Sequence, residues 1–508
     1  MHAQQPPAWP DNSVARRSDV NSWPAGRLPA LAGLIADFAF ERRQLGRPIA
    51  SPAGWVTSGS KNARTAAASE YLSALAEMAI GSATEATGVE NALRQLLSFA
   101  NGLGTDDSHG GYMAYAPTAA LVEGALAGFA CAAVNPGLTW MPTSPKFAAI
   151  EKSVLDWTAA DVLRWPANSG GVFTSGGSVA NTLGLHVARD TVAKRAGVRP
   201  SEVLFFVGDH AHYCFLKGLR VLGVDASQIV RVPCGIDNRI DVSALEKALG
   251  GHAKRLSGKA GVIVGVGGET STGSVDALDD LADLCGRHSN LWMHVDACFG
   301  GFFALTNRGA DLLHGIERAD SVALDPHKAL QAPYGIGMLM VRDERDLRNA
   351  FSVGASYIPP SSSEPDSQGI VDISDLGLEL TREARGAQVW LPLRAHGPEA
   401  FAQHLDWCQD AIRWVASVIE RQCPQLELVT GPQLSTLTFR VKGDDDIALQ
   451  KERTARFVDD VNARGRIMLA PTVTVRGVPC IRVCVLSARS TPEHLSALAE
   501  DIFAVARR

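Results

Sequence analysis

Ser321-Val-Ala-Leu-Asp-Pro-His-Lys328 places a lysine directly after a short apolar run, beside a histidine. A second apolar run, Leu291-Trp-Met-His-Val-Asp-Ala-Cys298, ends in an acid. A lysine that ends a strand is placed to form an imine with a carbonyl. A carboxylate ending a neighbouring strand can hold positive charge on a bound heterocycle. Taken singly, Lys328 and Asp296 read better as strand caps. A third segment changes that balance. Gly170-Gly-Val-Phe-Thr-Ser-Gly-Gly-Ser-Val-Ala-Asn-Thr182 runs strand, glycine turn, helix. Backbone N–H groups, the positive helix end and the Ser178 hydroxyl then converge as a phosphate cradle. No Gly-Lys-Ser/Thr follows, as a Walker loop requires, and GxGxxG spacing is absent. Lysine, acid and cradle together point to pyridoxal 5'-phosphate (PLP), held as a Schiff base on Lys328 with Asp296 paired to its pyridine nitrogen.

Two further segments carry candidate chemistry. Asp209-His-Ala-His-Tyr213 follows the apolar run Val203–Val207, and an imidazole stacked on an aromatic cofactor is a natural use for His212. The two histidines lack a third ligand at zincin spacing, so no metal site is expected. In the second run, strand alternation sends His294, Asp296 and Cys298 to one side. Cys298 then packs on the ring face or serves as a core thiol.

These residues need a scaffold that brings strand ends together. From Asn168 to about Asp343, short apolar runs alternate with amphipathic stretches such as Val179–Arg195 and Leu278–His288. Strands are expected at Gly171–Thr174, Val203–Val207, Gly261–Val266, Trp292–Asp296, Ser321–Leu324 and Gly337–Val341. The alternation argues for an α/β fold with a mostly parallel central sheet, whose ligands gather at strand carboxyl ends. Four regions follow: a loose tail over 1–27, a helical N-terminal segment over 28–107, a large cofactor-binding domain over 108–350, and a polar loop with a small α+β domain over 351–508. Within the last, a helix is expected over Leu380–His396, strands at Ser435–Val441 and Cys480–Val485, and a final helix over Pro492–Val505.

Composition narrows the function classes. Of 508 residues, 46% are hydrophobic and 20% charged, ordinary for a globular protein too long for one core. A net charge of −6 argues against nucleic acid or an anionic membrane as partner. No apolar run is long enough to span a bilayer. Met1-His-Ala-Gln-Gln-Pro-Pro lacks the order of a signal peptide, and nine cysteines without a CxxC pair suit a reducing compartment, so a cytoplasmic location is expected.

In their order along the chain, Gly-Gly-x-x-Thr-Ser-Gly-Gly-Ser, Ala-His-Tyr, His-Val-Asp-Ala and Asp-Pro-His-Lys resemble the group II PLP-dependent decarboxylases. These are the aromatic-amino-acid, glutamate and histidine decarboxylases of the aspartate-aminotransferase-like fold type I. The resemblance extends from His109-Gly-Gly-Tyr-Met-Ala-Tyr-Ala-Pro-Thr118, Thr143-Ser-Pro145 and Glu151 through Arg382-Glu-Ala-Arg-Gly-Ala-Gln-Val-Trp390 to Ile481-Arg-Val-Cys-Val-Leu-Ser487. It implies that Lys328 bears the cofactor, Asp296 binds its ring nitrogen and His212 stacks on the ring. By the same resemblance, Gly177, Ser178, Asp325 and His327 surround the phosphate. Thr272 or Thr270 lies near the ring hydroxyl, with Cys298 at the ring face. Tyr112, Tyr115, Pro117 and Thr118 line the substrate pocket, and a homodimer shares its active sites.

The implied reaction is α-decarboxylation of an L-amino acid to the amine and CO2. Tyr112, Met113, Tyr115 and Trp140 suit an apolar or aromatic side chain, or else serve as core. The family's catalytic loop carries a proton-donating tyrosine, whereas the matching stretch Gly369-Ile-Val-Asp-Ile-Ser-Asp-Leu376 has none. Tyr357 and His212 are the alternative donors. The missing tyrosine keeps open an aldehyde synthase outcome. Cys298, where the family usually has alanine, keeps open a carbon–carbon lyase of the sphingosine-phosphate-lyase type. A non-catalytic interaction protein would need a broken cofactor motif, and none is broken.

Overall fold

The computed structural model describes residues 29–30, 32–35, 71, 88–99, 106–251, 260–353, 371–443, 446–473 and 477–507. The tail over 1–27, most of the Ala-rich stretch 66–78, Tyr357 and the polar loop 361–369 lie outside the described residues.

Seven strands build the main sheet: β1 Gly170–Thr174, β2 Leu204–Gly208, β3 Ile229–Val232, β4 Gly261–Val266, β5 Leu291–Asp296, β6 Ser321–Leu324 and β7 Gly337–Val341. Their order is β1-β7-β6-β5-β4-β2-β3. The block from β3 to β6 is parallel. β7 runs antiparallel to both β1 and β6, a departure from an all-parallel run. The link from Leu324 to Gly337 holds only the short helix Pro326–Ala329, too little for a crossover that returns the chain to the same edge. β3 escaped the sequence pattern because it is a four-residue, partly exposed edge strand containing Arg231.

Alternation decides which residues meet. In β5, Leu291, Met293 and Val295 join one apolar cluster. Trp292 belongs to the opposite cluster, with Leu183, Val187 and Val192 of the helix Gly177–Ala196. His294 and Asp296 share that second face with Trp292, so the helix that opens at the glycine turn lies over them.

The small domain has a four-stranded antiparallel sheet, β8 Leu426–Gln433, β9 Thr436–Val441, β10 Ala470–Val473 and β11 Pro479–Cys484, in the order β10-β11-β9-β8. The helices Pro398–Gln422, Ile447–Asn462 and Pro492–Ala506 pack on it. The segment 112–113 joins this sheet: Tyr112 bridges Met468, and the Met113 carbonyl accepts from the Cys484 N–H. The helix expected from Leu380 begins only at Ala387. Residues 382–386 instead turn around ion pairs, Arg382 gripping Glu151 with two bonds of 2.9 and 2.5 Å and Arg385 gripping Glu379. Glu151 also accepts from the Gly386 N–H at 3.0 Å. No helix among the described residues is long and apolar enough to cross a membrane.

Candidate active site

A cleft of about 680 Å³ opens at the carboxyl ends of the parallel strands and reaches β10 and β11 of the small domain. It gathers Gly177, Ser178, His212, Asp296, Cys298, Asp325, His327 and Lys328 from four separate segments, with Tyr115 at its edge. Apolar residues before each turn place these groups. β5 and β6 are buried along their whole length; Asp296 closes the first, still buried, and the half-buried Lys328 follows the second on the short helix Pro326–Ala329.

Lys328 Nζ lies 3.1 Å from Asp325 Oδ2. Burial alone would lower the Lys328 ammonium, but the Asp325 and Asp296 charges outweigh it and hold it above the ordinary lysine value. The other Asp325 oxygen, Oδ1, is buried without a hydrogen bond, although His327 Nδ1 stands 3.6 Å away. That His327 nitrogen donates instead to the Ile336 carbonyl at 2.8 Å. Asp296 Oδ1 accepts from the Cys298 N–H at 3.1 Å.

His212 Nδ1 accepts from the Cys214 N–H at 3.3 Å, so in the neutral ring the proton sits on Nε2. Burial, partly opposed by Asp296, lowers the His212 pKa and favours that neutral form. Burial likewise pushes the Cys298 thiol well above its usual value. Cys298 is therefore a neutral neighbour, not a nucleophile.

The glycine turn has the properties of an anion cradle. Gly176 is the N-cap of Gly177–Ala196 and no side chain caps that end, which leaves N–H groups of the first turn open. A Cβ at Gly177 would meet Cys298 Sγ at 2.4 Å and Asp325 Oδ2 at 2.7 Å, so only glycine fits there. Gly176, at φ 145°, also needs glycine's freedom. An open cradle, a cleft amine beside a carboxylate and a second carboxylate on the next strand match the phosphate, aldehyde and ring nitrogen of PLP.

Four sequence candidates stay outside the cleft lining. The Thr272 hydroxyl turns inward onto Glu269 and Ser274, at 2.9 and 2.7 Å, while Thr270 takes the cleft position. Tyr112 packs with Ala114, Met468 and Ala470 because its backbone joins the small domain. Pro117 and Thr118 are buried behind the lining, and Thr118 bonds Tyr334. Of the four residues read as favouring an apolar substrate, only Tyr115 lines the cleft. Met113 lies in the small-domain core and Trp140 is outside the lining.

Two functional residues had no sequence signal of their own. Arg482, 5% exposed, enters the cleft from β11 and donates to the Tyr115 carbonyl, while its Nε has no partner. Tyr115 has φ 51°, an unusual conformation for a tyrosine, which this contact helps to hold. Gln331, also left-handed at φ 52°, donates to the carbonyls of Lys328 (2.8 Å) and Leu486 (3.0 Å). Its oxygen accepts from Ala119 and Ala488. One buried amide thus ties the lysine turn to both other walls of the site.

The pyridoxal-dependent decarboxylase conserved domain matches residues 82–442. The chain belongs to that family. Its group II membership, fold type I architecture, PLP dependence and carboxy-lyase class follow. The chain is 32% identical over 411 residues to an aromatic-L-amino-acid decarboxylase of Bacillus atrophaeus, covering 78% of this chain and 83% of that one. It is 26% identical over 443 residues to an L-2,4-diaminobutyrate decarboxylase of Acinetobacter baumannii, covering 84% and 85%. Among solved structures, Oryza sativa TDC with PLP and tryptamine superposes with a TM-score of 0.83 at 22% identity, over 96% of this chain and 99% of that chain.

Proposed function

We propose that this decarboxylase acts on an L-amino acid with an apolar or aromatic side chain, releasing CO2 and the amine. One observation carries the choice. The only carboxylates lining the cleft among the described residues are Asp296 and Asp325. Asp325 faces Lys328 and Asp296 serves the cofactor, so a distal ammonium finds no acceptor of its own. Tyr115, Ala116, Phe299, Ala470 and Pro471 add apolar surface, and Thr270, Ser271 and Thr472 beside them are neutral. The aromatic-L-amino-acid relative agrees with this reading, and the diaminobutyrate relative supplies the competing one.

PLP, when bound, accepts the electron pair left at Cα as CO2 departs. Lys328 would hold the cofactor through Nζ, and Asp325 beside it would balance the charge of the free ammonium. Asp296 keeps a proton on the ring nitrogen. The uncapped turn at Gly177 and Ser178, with His327 nearby, receives the phosphate. Arg482, entering the cleft from β11, orients the substrate carboxylate. Fixing the Cα–carboxylate bond perpendicular to the ring is a positioning task. His212 covers the ring, and its Nε2–H is the proton source on that side.

A second reading rests on the loop. The described stretch 371–376 contains no tyrosine, and Asp372 within it is engaged by the Met141 N–H at 2.8 Å. Without a fast proton donor, oxygen competes for the electron pair and the product becomes an aldehyde.

Incubating the holoenzyme with the twenty amino acids and 2,4-diaminobutyrate, while following CO2 and peroxide together, tests both readings. Peroxide-free CO2 release from aromatic substrates is expected. Turnover confined to diaminobutyrate or to acidic substrates overturns the substrate assignment. Peroxide and ammonia in step with CO2 select the aldehyde synthase.

We also infer a homodimer with shared sites. Leu126, Phe129 and Val134 of the helix Val122–Val134 are 57%, 54% and 64% exposed, an apolar face that a second subunit would cover. Light scattering checks this: a monomer at micromolar concentration would refute it.

A further inference from the structure

Behind Asp296 the protein buries a polar chain that the chemistry above does not use. His294 is fully buried between two partners, Ser321 Oγ at 2.8 Å from Nδ1 and Asn181 Oδ1 at 2.9 Å from Nε2. Its direction follows from what each atom can do. Asn181 Oδ1 only accepts, so His294 Nε2 carries the proton and Nδ1 accepts from the Ser321 hydroxyl. Ser321 Oγ in turn accepts from Trp292 Nε1, which only donates, at 2.8 Å.

At the other end, the Asn181 amide donates to Cys298 Sγ at 3.8 Å and Cys214 Sγ at 3.7 Å. Cys298 then hydrogen-bonds the Asp296 carboxylate through its side chain and its N–H. Every donor from the Trp292 indole to the Cys298 thiol therefore points toward Asp296.

The surrounding backbone is shaped for this chain. A Cβ at Gly184, inside the helix Gly177–Ala196, would meet the His294 ring at 2.4 Å, and one at Gly177 would meet Cys298 Sγ at 2.4 Å. A mid-helix glycine lowers helix stability by about 1 kcal/mol relative to alanine, and here it makes room for His294. Burial holds His294 near pKa 4, so the ring stays neutral and the chain keeps its direction across the physiological range.

We propose that Trp292, Ser321, His294, Asn181 and Cys298 form a one-way hydrogen-bond chain that holds the Asp296 carboxylate toward the ring nitrogen of the cofactor. This makes His294 and Asn181 positioning residues for decarboxylation. The proposal rests on the pairing of Asp296 with that nitrogen. The other ionisable groups facing Asp296 and Cys298 are Asp325, Lys328 and His212; Asp325 and Lys328 act on the Cys298 end of the chain through their charges.

Apoprotein is titrated with PLP and, separately, with an analogue carrying C–H in place of the ring nitrogen; the ratio of the two dissociation constants is the readout. Wild type should prefer PLP. Cys298→Ala should reduce that preference about threefold or more, the size of one buried hydrogen bond. Cys298→Ser keeps a hydroxyl that accepts from Asn181 and donates to Asp296, and should restore most of it. Asn181→Leu, of similar volume, should act like Cys298→Ala. If Asn181→Leu does not fold, the alanine and serine variants of Cys298 decide alone. A preference unchanged by Cys298→Ala, or lowered equally by Cys298→Ser, overturns the chain while leaving the Asp296 pairing intact. No preference in wild type overturns the pairing itself, and the chain with it.

Discussion

Lys328 Nζ and Asp325 Oδ2 stand 3.1 Å apart at the mouth of β6, three residues from one another in sequence. Asp325 closes the strand and Pro326 starts a short helix, so the turn folds the two side chains back together. The lysine that must react as a neutral amine is thereby stored as an ammonium.

Replacing Lys328 by Ala removes the only amine lining the cleft among the described residues. Turnover measured as CO2 release should fall by at least about a thousandfold. The visible absorbance band of the lysine-bound cofactor should disappear as well.

Removing the Asp325 charge acts in the opposite sense on reactivity. Asp325 is the largest influence raising the Lys328 pKa, so Asp325→Asn should lower it. The rate at which apoprotein captures PLP, followed by absorbance, should reach its plateau at correspondingly lower pH.

Arg482 should act on substrate binding. Its Nε lacks a partner while the guanidinium also holds the Tyr115 carbonyl. Arg482→Met should raise KM by about tenfold or more and alter kcat less, since a lost charged hydrogen bond is worth roughly 1.5–3 kcal/mol. Steady-state kinetics on the best substrate separates the two.

His294 makes stability depend on acid. Its folded pKa of about 4 lies below the ordinary histidine value of 6.5. The unfolded chain therefore binds the proton more readily than the folded one. The contribution is fully present above pH 6.5 and is lost as pH falls toward 4, an effect on the order of 3 kcal/mol. Urea midpoints across that window should fall with pH, and His294→Gln should flatten this part of the profile.

Breaking the buried pair of Arg382 and Glu151, each 2% exposed at the side chain, should be severe. Glu151→Ala strands an arginine in the core and frees the Gly386 N–H, and should lower stability by about 3–5 kcal/mol. Denaturant unfolding monitored by fluorescence measures it.

Much of the site was legible in the chain itself because its chemistry is local. The strand-ending positions of Asp296 and Lys328, the strand–glycine–helix turn at Gly177 and the shared side of His294, Asp296 and Cys298 all follow from hydrophobic periodicity and backbone geometry. Those signals act over a few residues, and the structure brings Gly177, Asp296, Cys298 and Lys328 into one cleft, with His294 buried behind it. Other outcomes depended on contacts between distant segments. β7 reverses because its link is short, a fact about three strands at once. Tyr112 leaves the cleft because Met468, over three hundred residues later, pairs with its backbone. Arg482 sat within a recognisable motif without any sign that β11 would turn it toward Tyr115. Asn181, His294 and Ser321 meet only because the helix Gly177–Ala196 lies over β5 and β6, which pair side by side in the sheet. Residue type and spacing sufficed for the cofactor. Which side chains surround the substrate, and which support Asp296 from behind, was decided by tertiary packing, since those contacts join segments whose separation in sequence carries no record of their distance in space.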